Sequence, residues 1–346
     1  MAGKRQHFIP RFLLRGFISK ETKKESFTYI TRRNTPPIET NIKNVAVESK
    51  FYEYQDVSAD DYITDNEYGY AKAIEYTRTN ETLTKQYEAS VASFIESLVV
   101  RTRYFRSIIT SSTNHLIDRA KEDLLNDENL IRLISGMLAD DTRLTKCIDD
   151  ICKEHPEIDN NKIKQLCREK LKSEKHNLAN FVFTGAKVVG PQLFSALKDK
   201  TLPEIKTAQI DVLSKSRSET ERFRQYKTLN WQVKTYADSN LILGDIGPIA
   251  IVKNGDIVPP IFAKDILLII LPISSSKIII GSSETQFIHL DSSEINMMSA
   301  SLAVDFIISS HNSQILSKYS KIIGLKSERH YADMIDNIFQ QNPLIR

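Results

Sequence analysis

No stretch of this sequence is apolar enough, for long enough, to span a membrane. The longest apolar run, Ile266 to Ile273, is 8 residues with Pro272 inside it, where a spanning helix needs about 20. Met1 to Pro10 also lacks the apolar core of ~7–15 residues that a signal peptide carries. Cysteine is scarce: Cys147, Cys152 and Cys167 are an odd number without CxxC spacing, which argues against a disulfide framework and a zinc ribbon. A reduced, cytoplasmic protein is the expectation. Gly and Pro number only 11 each in 346 residues, so collagen-like and low-complexity architectures are excluded. An excess of one charge is missing too. Lys+Arg is 47 against Asp+Glu 44, a balance of +3, too mild to mark a general nucleic-acid binder.

Apolar residues at 41% and charged residues at 26% describe an ordinary globular chain. At about 100–200 residues per domain, we read 1–346 as a single composite domain. The near-neutral total hides blocks. Residues 1–33 hold nine basic and two acidic residues, and residues 56–96 hold three basic and nine acidic ones. Such blocks are usually solvated faces, and these two are also able to pair.

Phe27 to Thr31 has strand composition, and Arg33 to Pro37 reads as a turn. From about Tyr68 to Lys200 the period is helical, with Val91, Ile95, Leu98 and Val99 on one face. Residues 118–175 carry 14 acidic and 12 basic residues around Leu130, Ile134 and Leu138, the signature of amphipathic surface helices. We read them as a charged helical insertion, with Pro156 separating two helices. After Leu229 come short β-rich runs, Leu241–Leu243, Ile249–Val252, Ile266–Leu271, Lys277–Ile280 and Gln286–Leu290. Asp291 and Glu294, ahead of Ile295, Met298, Leu302 and Phe306, mark a helix start, and a last helix is expected around Lys326–Phe339. The predicted fold is α+β: a helical middle region, a mainly antiparallel late sheet and closing C-terminal helices.

Three segments carry chemistry-bearing residues. In the first, His7, Arg11 and Arg15 recur every four residues around Pro10. Pro10 suits the first turn of a helix, which leaves His7 just ahead of it. A histidine and two arginines at a helix start can meet a phosphate, although an amphipathic helix with paired charges explains the same pattern. In the second, Arg101, Arg103 and Arg106 are interleaved with Tyr104 and Phe105. They can hold phosphate and stack on bases, or simply favour a helix C-terminus. In the third, an apolar strand runs into Asp245 and the Gly247–Pro248 turn. There an Asp can act as general base, metal ligand or histidine orienter, or be an ordinary turn residue.

The sequence has no GxxxxGK[ST], GxSxG, HExxH or strand-linked GxGxxG. Its seven histidines show no short ligand spacing, so no metal site is expected.

Together the segments resemble the bacterial domain of unknown function 4238 family over roughly residues 4–310. RQHFIPRFLLRGF is similar to that family's N-terminal signature through His7, Pro10, Leu14, Arg15 and Phe17. NVAVESKFY, RTRYFR, Trp231, LILGDIGPIAI, Leu271–Ser274 and INMMSASLAVDFI resemble its later blocks in order. The chain departs from the family at Gly-Asp-Ile-Gly-Pro, where the family has Ser-Asp-Asn-Pro. The resemblance implies one pocket drawn from the shared polar residues and names no reaction.

The reading preferred on the sequence is an enzyme acting on a phosphodiester or nucleotide, in the manner of a toxin or antiviral-defence nuclease. His7 would be its acid–base group and Asp245 its partner, with Arg11, Arg15, Arg101 and Arg103 holding phosphate. The alternative is a non-enzymatic module that binds an anion or nucleic acid and meets a protein partner through the 118–175 helices. A third possibility is a buried network in which His7 or an arginine pairs with Asp245.

Overall fold

The computed structural model describes residues 5–54, 57–154, 160–215, 220–238, 240–284 and 290–327. The chain divides into two compact units, one built from residues 1–110 and 203–333, the other from 111–202 and 334–346. The 118–175 stretch falls in the second.

The chain opens with β1 (Arg5–His7), α1 (Arg11–Leu14), β2 (Lys20–Glu21), β3 (Ser26–Arg32), β4 (Ile38–Asn41), β5 (Val47–Ser49), β6 (Glu53–Tyr54) and β7 (Val57–Ser58). Helices follow: α2 (Asp60–Thr79), α3 (Lys85–Arg101), α4 (Arg103–Leu125), α5 (Asp127–Ala139), α6 (Asp141–Glu154), α7 (Asn160–Ser173), α8 (Lys175–Ser214) and α9 (Glu221–Lys227). The last part holds β8 (Asn230–Thr235), β9 (Leu243–Gly244), β10 (Ile249–Val252), β11 (Ile257–Val258), β12 (Ile266–Pro272), β13 (Lys277–Ser282), α10 (Ser292–Leu302), β14 (Phe306–Ser309) and α11 (Leu316–Ile322).

The first unit holds two five-stranded sheets, antiparallel throughout. One is ordered β11-β10-β12-β13-β8, and the other β2-β3-β14-β9 with β4 also paired to β3. The strand β12 and the Ile278–Ile280 centre of β13 are continuously apolar because both faces are covered, and every residue of β13 is buried. The α+β expectation holds, with the helical middle and the late antiparallel sheet in place. The helix-start signature is a true capping box: Asp291 and Glu294 reciprocally satisfy the first backbone donors of α10.

The apolar spacing that runs on to Phe306 does not stay helical. Helix α10 ends at Leu302, and Phe306 begins β14, because the amides of 304–306 are taken up by Asp245 instead of by the helix. Arg32 to Thr35 makes the expected turn, with Asn34 at φ +56°. The expected strand at Gln286–Leu290 and the last helix lie almost wholly outside the described residues, as does Pro156.

The described residues of the second unit are helical. Asn126 caps α5 by accepting from the amides of Glu128 and Asn129, and Lys198 pairs with Asp118 at 2.6 Å. Cys167 is a free thiol. No described helix is long and apolar enough to cross a membrane.

Candidate functional site

Strand β1 pairs antiparallel with β5, setting His7 opposite Val47. The chain between them turns through Ala46 at φ +50°, a strained conformation for a residue with a Cβ. That turn aims two successive carbonyls at the incoming strand: Val45 O accepts from His7 Nδ1 at 3.0 Å, and Ala46 O accepts from the Phe8 amide at 2.9 Å. Desolvation lowers the His7 pKa to about 4, and the charges of Arg11 and Arg101 add to it, against the pull of Val45 and Glu67. The imidazole is therefore neutral at neutral pH. With its Nδ1 proton given to Val45, its Nε2 carries a free lone pair.

Beneath His7 lies a hydrogen-bonded knot. The His7 carbonyl accepts from Tyr52 Oη at 2.7 Å and from Arg101 Nη2 at 3.0 Å. Arg101 Nε donates to Tyr52 Oη at 2.5 Å, and its Nη2 pairs with the Glu67 carboxylate. Burial pushes the Tyr52 hydroxyl up to about 12. Burial also opposes the Arg101 charge, but Tyr52 and Glu67 outweigh it, so its pKa stands above the usual value.

The other arginines of that segment are similarly held. Arg103 pairs with Glu48 at 2.9 Å and Asp305 at 3.8 Å, and stacks over Phe8. Arg106 reaches Gln209, Glu48 and the Phe51 carbonyl, and lies over the Phe51 ring. Each guanidinium thus covers an aromatic face while its N–H groups are taken by internal acceptors. Arg11 and Arg15 differ: both are exposed, and neither has a hydrogen bond or salt bridge among the described residues.

Asp245 sits immediately after β9 and is buried. Its Oδ1 accepts from the Val304 amide at 2.8 Å, and its Oδ2 accepts from Asp305 at 2.7 Å and Phe306 at 3.4 Å. Desolvation raises its pKa to about 7, against the stabilising pull of those amides. The turn beyond it closes through Gly247 at φ +77°, where a Cβ would also strike Leu98. This is how the chain accommodates Ile246-Gly247 before Pro248.

The opening block, the second block and the Arg-rich helix end therefore converge: His7, Tyr52 and Arg101 are directly joined. Asp245 is not hydrogen-bonded to His7, whose ring is oriented by the Val45 carbonyl. It meets the cluster through Asp305, which it binds by the backbone and Arg103 approaches by the side chain, and through Phe306, whose ring packs on Phe8. Among the described residues no three His, Cys, Asp or Glu side chains gather as a metal site would require.

Sequence reasoning missed Glu67. Its signal was available: Ile63, Tyr70 and Ile74 are the buried face of α2, and Glu67 falls on that same stripe, where an unpaired carboxylate would be costly.

His7 and Asp245 titrate in opposite senses. His7 is depressed from 6.5 to about 4, so the unfolded chain binds the extra proton and stability rises with pH across that window. Asp245 is raised from 3.8 to about 7, so the folded chain binds the extra proton and stability falls as pH rises toward 7. Between about pH 4 and 6.5 the two slopes oppose each other. We expect Asp245→Asn to expose a rising stability and His7→Gln a falling one, each by up to about 1 kcal/mol per pH unit. Urea midpoints at the two ends of that range measure it, and parallel profiles for the two variants would refute the assignment.

A family model described as a protein of unknown function, DUF4238, matches residues 5–315. No curated protein matches the chain, and neither does any solved structure.

Proposed function

Because the chain belongs to the DUF4238 family, whose function is unknown, its reaction must be read from its own residues, and we propose that it acts on a phosphodiester or nucleotide with His7 as the acid–base group. The observation that carries this is the His7 ring itself: neutral, fixed at Nδ1 by Val45, with Nε2 free and Arg11 close enough to act on its charge. A phosphate held by Arg11 and Arg15 would offset the Arg11 charge, which adds to the larger lowering that burial imposes on His7. It would thereby raise the basicity of Nε2 at the moment of binding. Nε2 would then take the proton of the attacking hydroxyl and return one to the leaving oxygen.

In this reading Arg101 is a positioning residue, holding the His7 backbone against Tyr52 and Glu67. Arg103 stands at the edge of the cluster with its charge shared between Glu48 and Asp305. Asp245 supports the site through the 304–306 segment. A role as a toxin or antiviral-defence nuclease in the cytoplasm fits this chemistry.

The test is expression of wild type and His7→Gln in a bacterial host, followed by RNA and DNA integrity and nucleotide profiling. Loss of a general base costs about 10²–10⁴-fold in rate, so degraded or depleted pools are expected with wild type alone. Intact pools in cells making well-folded wild-type protein would overturn the reading.

A second reading is favoured by the internal partners of Arg101, Arg103 and Arg106. With only Arg11 and Arg15 left open, the cluster would bind an anion or nucleic-acid end without turnover. The exposed Ile131, Met137 and Leu166 would give the 118–175 helices a surface for a protein partner.

A further inference from the structure

Away from His7, the face of α9 that does not enter the core borders a cleft of about 820 Å³. Helix α9 is anchored by Phe223 and Tyr226, both buried, so its remaining residues are turned outward by the helical period. Glu221, Arg222, Arg224, Gln225 and Thr228 line the cleft from the helix, and Lys264 lines it from the chain leading into β12. The two sides are tied together: Gln225 Nε2 donates to the Lys264 carbonyl at 2.8 Å.

Three cations thus face one carboxylate. Unlike those of Arg101, Arg103 and Arg106, the side chains of Arg222, Arg224 and Lys264 have no hydrogen bond or salt bridge among the described residues. The volume falls within the ~300–1,000 Å³ of small-ligand sites. No aromatic ring lines the cleft among the described residues, so none of them would stack on a nucleobase. Two guanidinium forks and an ammonium suit the oxygens of linked phosphates.

We propose that this cleft binds a small phosphorylated molecule through a di- or triphosphate group, at a site sharing no residue with the His7 cluster. Glu221, the single acid among the described lining residues, would exclude ligands whose charge does not reach the cations. The proposal does not depend on catalysis at His7, and binding here is compatible with a regulatory ligand.

The experiment is calorimetric titration of the full-length protein with inorganic pyrophosphate and, separately, with ATP, at about 50 and about 200 mM salt. Wild type is expected to bind both with similar affinity, more weakly at the higher salt. Arg224→Glu/Lys264→Glu should lose at least ten-fold in affinity for both. Arg11→Glu/Arg15→Glu, which strips the anion site proposed around His7, should keep the binding event that Arg224→Glu/Lys264→Glu loses, and this separates the two sites. No binding of either probe by folded wild type at millimolar concentration would overturn the proposal. So would undiminished binding by the Arg224/Lys264 variant, or a loss confined to the Arg11/Arg15 variant.

Discussion

Replacing Arg78 with Met is expected to cost about 3–5 kcal/mol, a large share of the roughly 5–15 kcal/mol that holds a typical domain folded. Arg78 is on the last turn of α2, with its side chain nearly buried, and its one carboxylate partner among the described residues, Glu75, is exposed at 3.6 Å. Its guanidinium is spent on backbone instead. Nη1 donates to Phe12 O at 2.8 Å, Nη2 to Leu13 O at 2.9 Å, and Nε and Nη2 both reach Ile273 O, at 2.9 and 2.7 Å. Phe12 and Leu13 belong to α1, a four-residue helix too short to supply a full set of donors to its own carbonyls.

Methionine has similar length and no donor, so three buried carbonyls would be left without their partner. Lysine would recover part of the loss, since one ammonium cannot copy the planar fork. Burial lowers the Arg78 pKa to about 10, which still leaves it charged at neutral pH. The same junction explains Gly16. A Cβ there would stand 1.9 Å from Ile273 O, so Gly16→Ala should be damaging as well. Urea unfolding reads both effects, and a midpoint unchanged from wild type in Arg78→Met would refute the clamp.

The second large effect is at Asp245. Asp245→Ala strips the acceptors from three backbone amides, Val304, Asp305 and Phe306, in a buried loop. Each orphaned donor costs about 1–3 kcal/mol, so the variant should lose about 3–5 kcal/mol or fail to accumulate as folded protein. Asp245→Asn keeps one oxygen and turns an NH₂ toward the remaining amides, and we expect an intermediate loss. The loop matters because it stops α10 and launches β14. Thermal unfolding of the two variants gives the ranking. A stable, folded Asp245→Ala protein that has lost activity would assign the carboxylate to chemistry instead.

The elements readable from the sequence were those whose pattern is local. Ile249–Val252 and Lys277–Ile280 announce themselves as strands by runs rich in β-branched residues between turn residues, and the α10 capping box by its own four residues. Phe306 was misleading because it continues the helical spacing of Ile295, Met298 and Leu302. Only a carboxylate 61 positions upstream, Asp245, ends that helix. Strand β8 was missed because NWQVKT mixes polar and apolar residues at a sheet edge, where one side of the strand has no neighbour.

In the candidate site, the residue types were legible and their partners were not. Nothing near Arg101 in the chain reveals Glu67 or the His7 carbonyl, and nothing near His7 reveals Val45 as its acceptor. These pairings exist only once α2, α3 and β1 are packed.

The sheet that contains β3 has a temporal consequence. Ser309 pairs with Tyr29 and Phe306 with Arg32, so the partner of an early strand is nearly 280 residues further along. At about 5–20 residues per second of synthesis, β3 waits on the order of 15–60 s on the ribosome before β14 exists. Through that interval one edge of β3 is open and the apolar side chains of Phe8, Leu13 and Phe17 lack much of the core that later covers them. Production of this protein in cells should therefore depend on factors that shield nascent chains, and on growth temperature, more steeply than the stability of the finished fold would suggest.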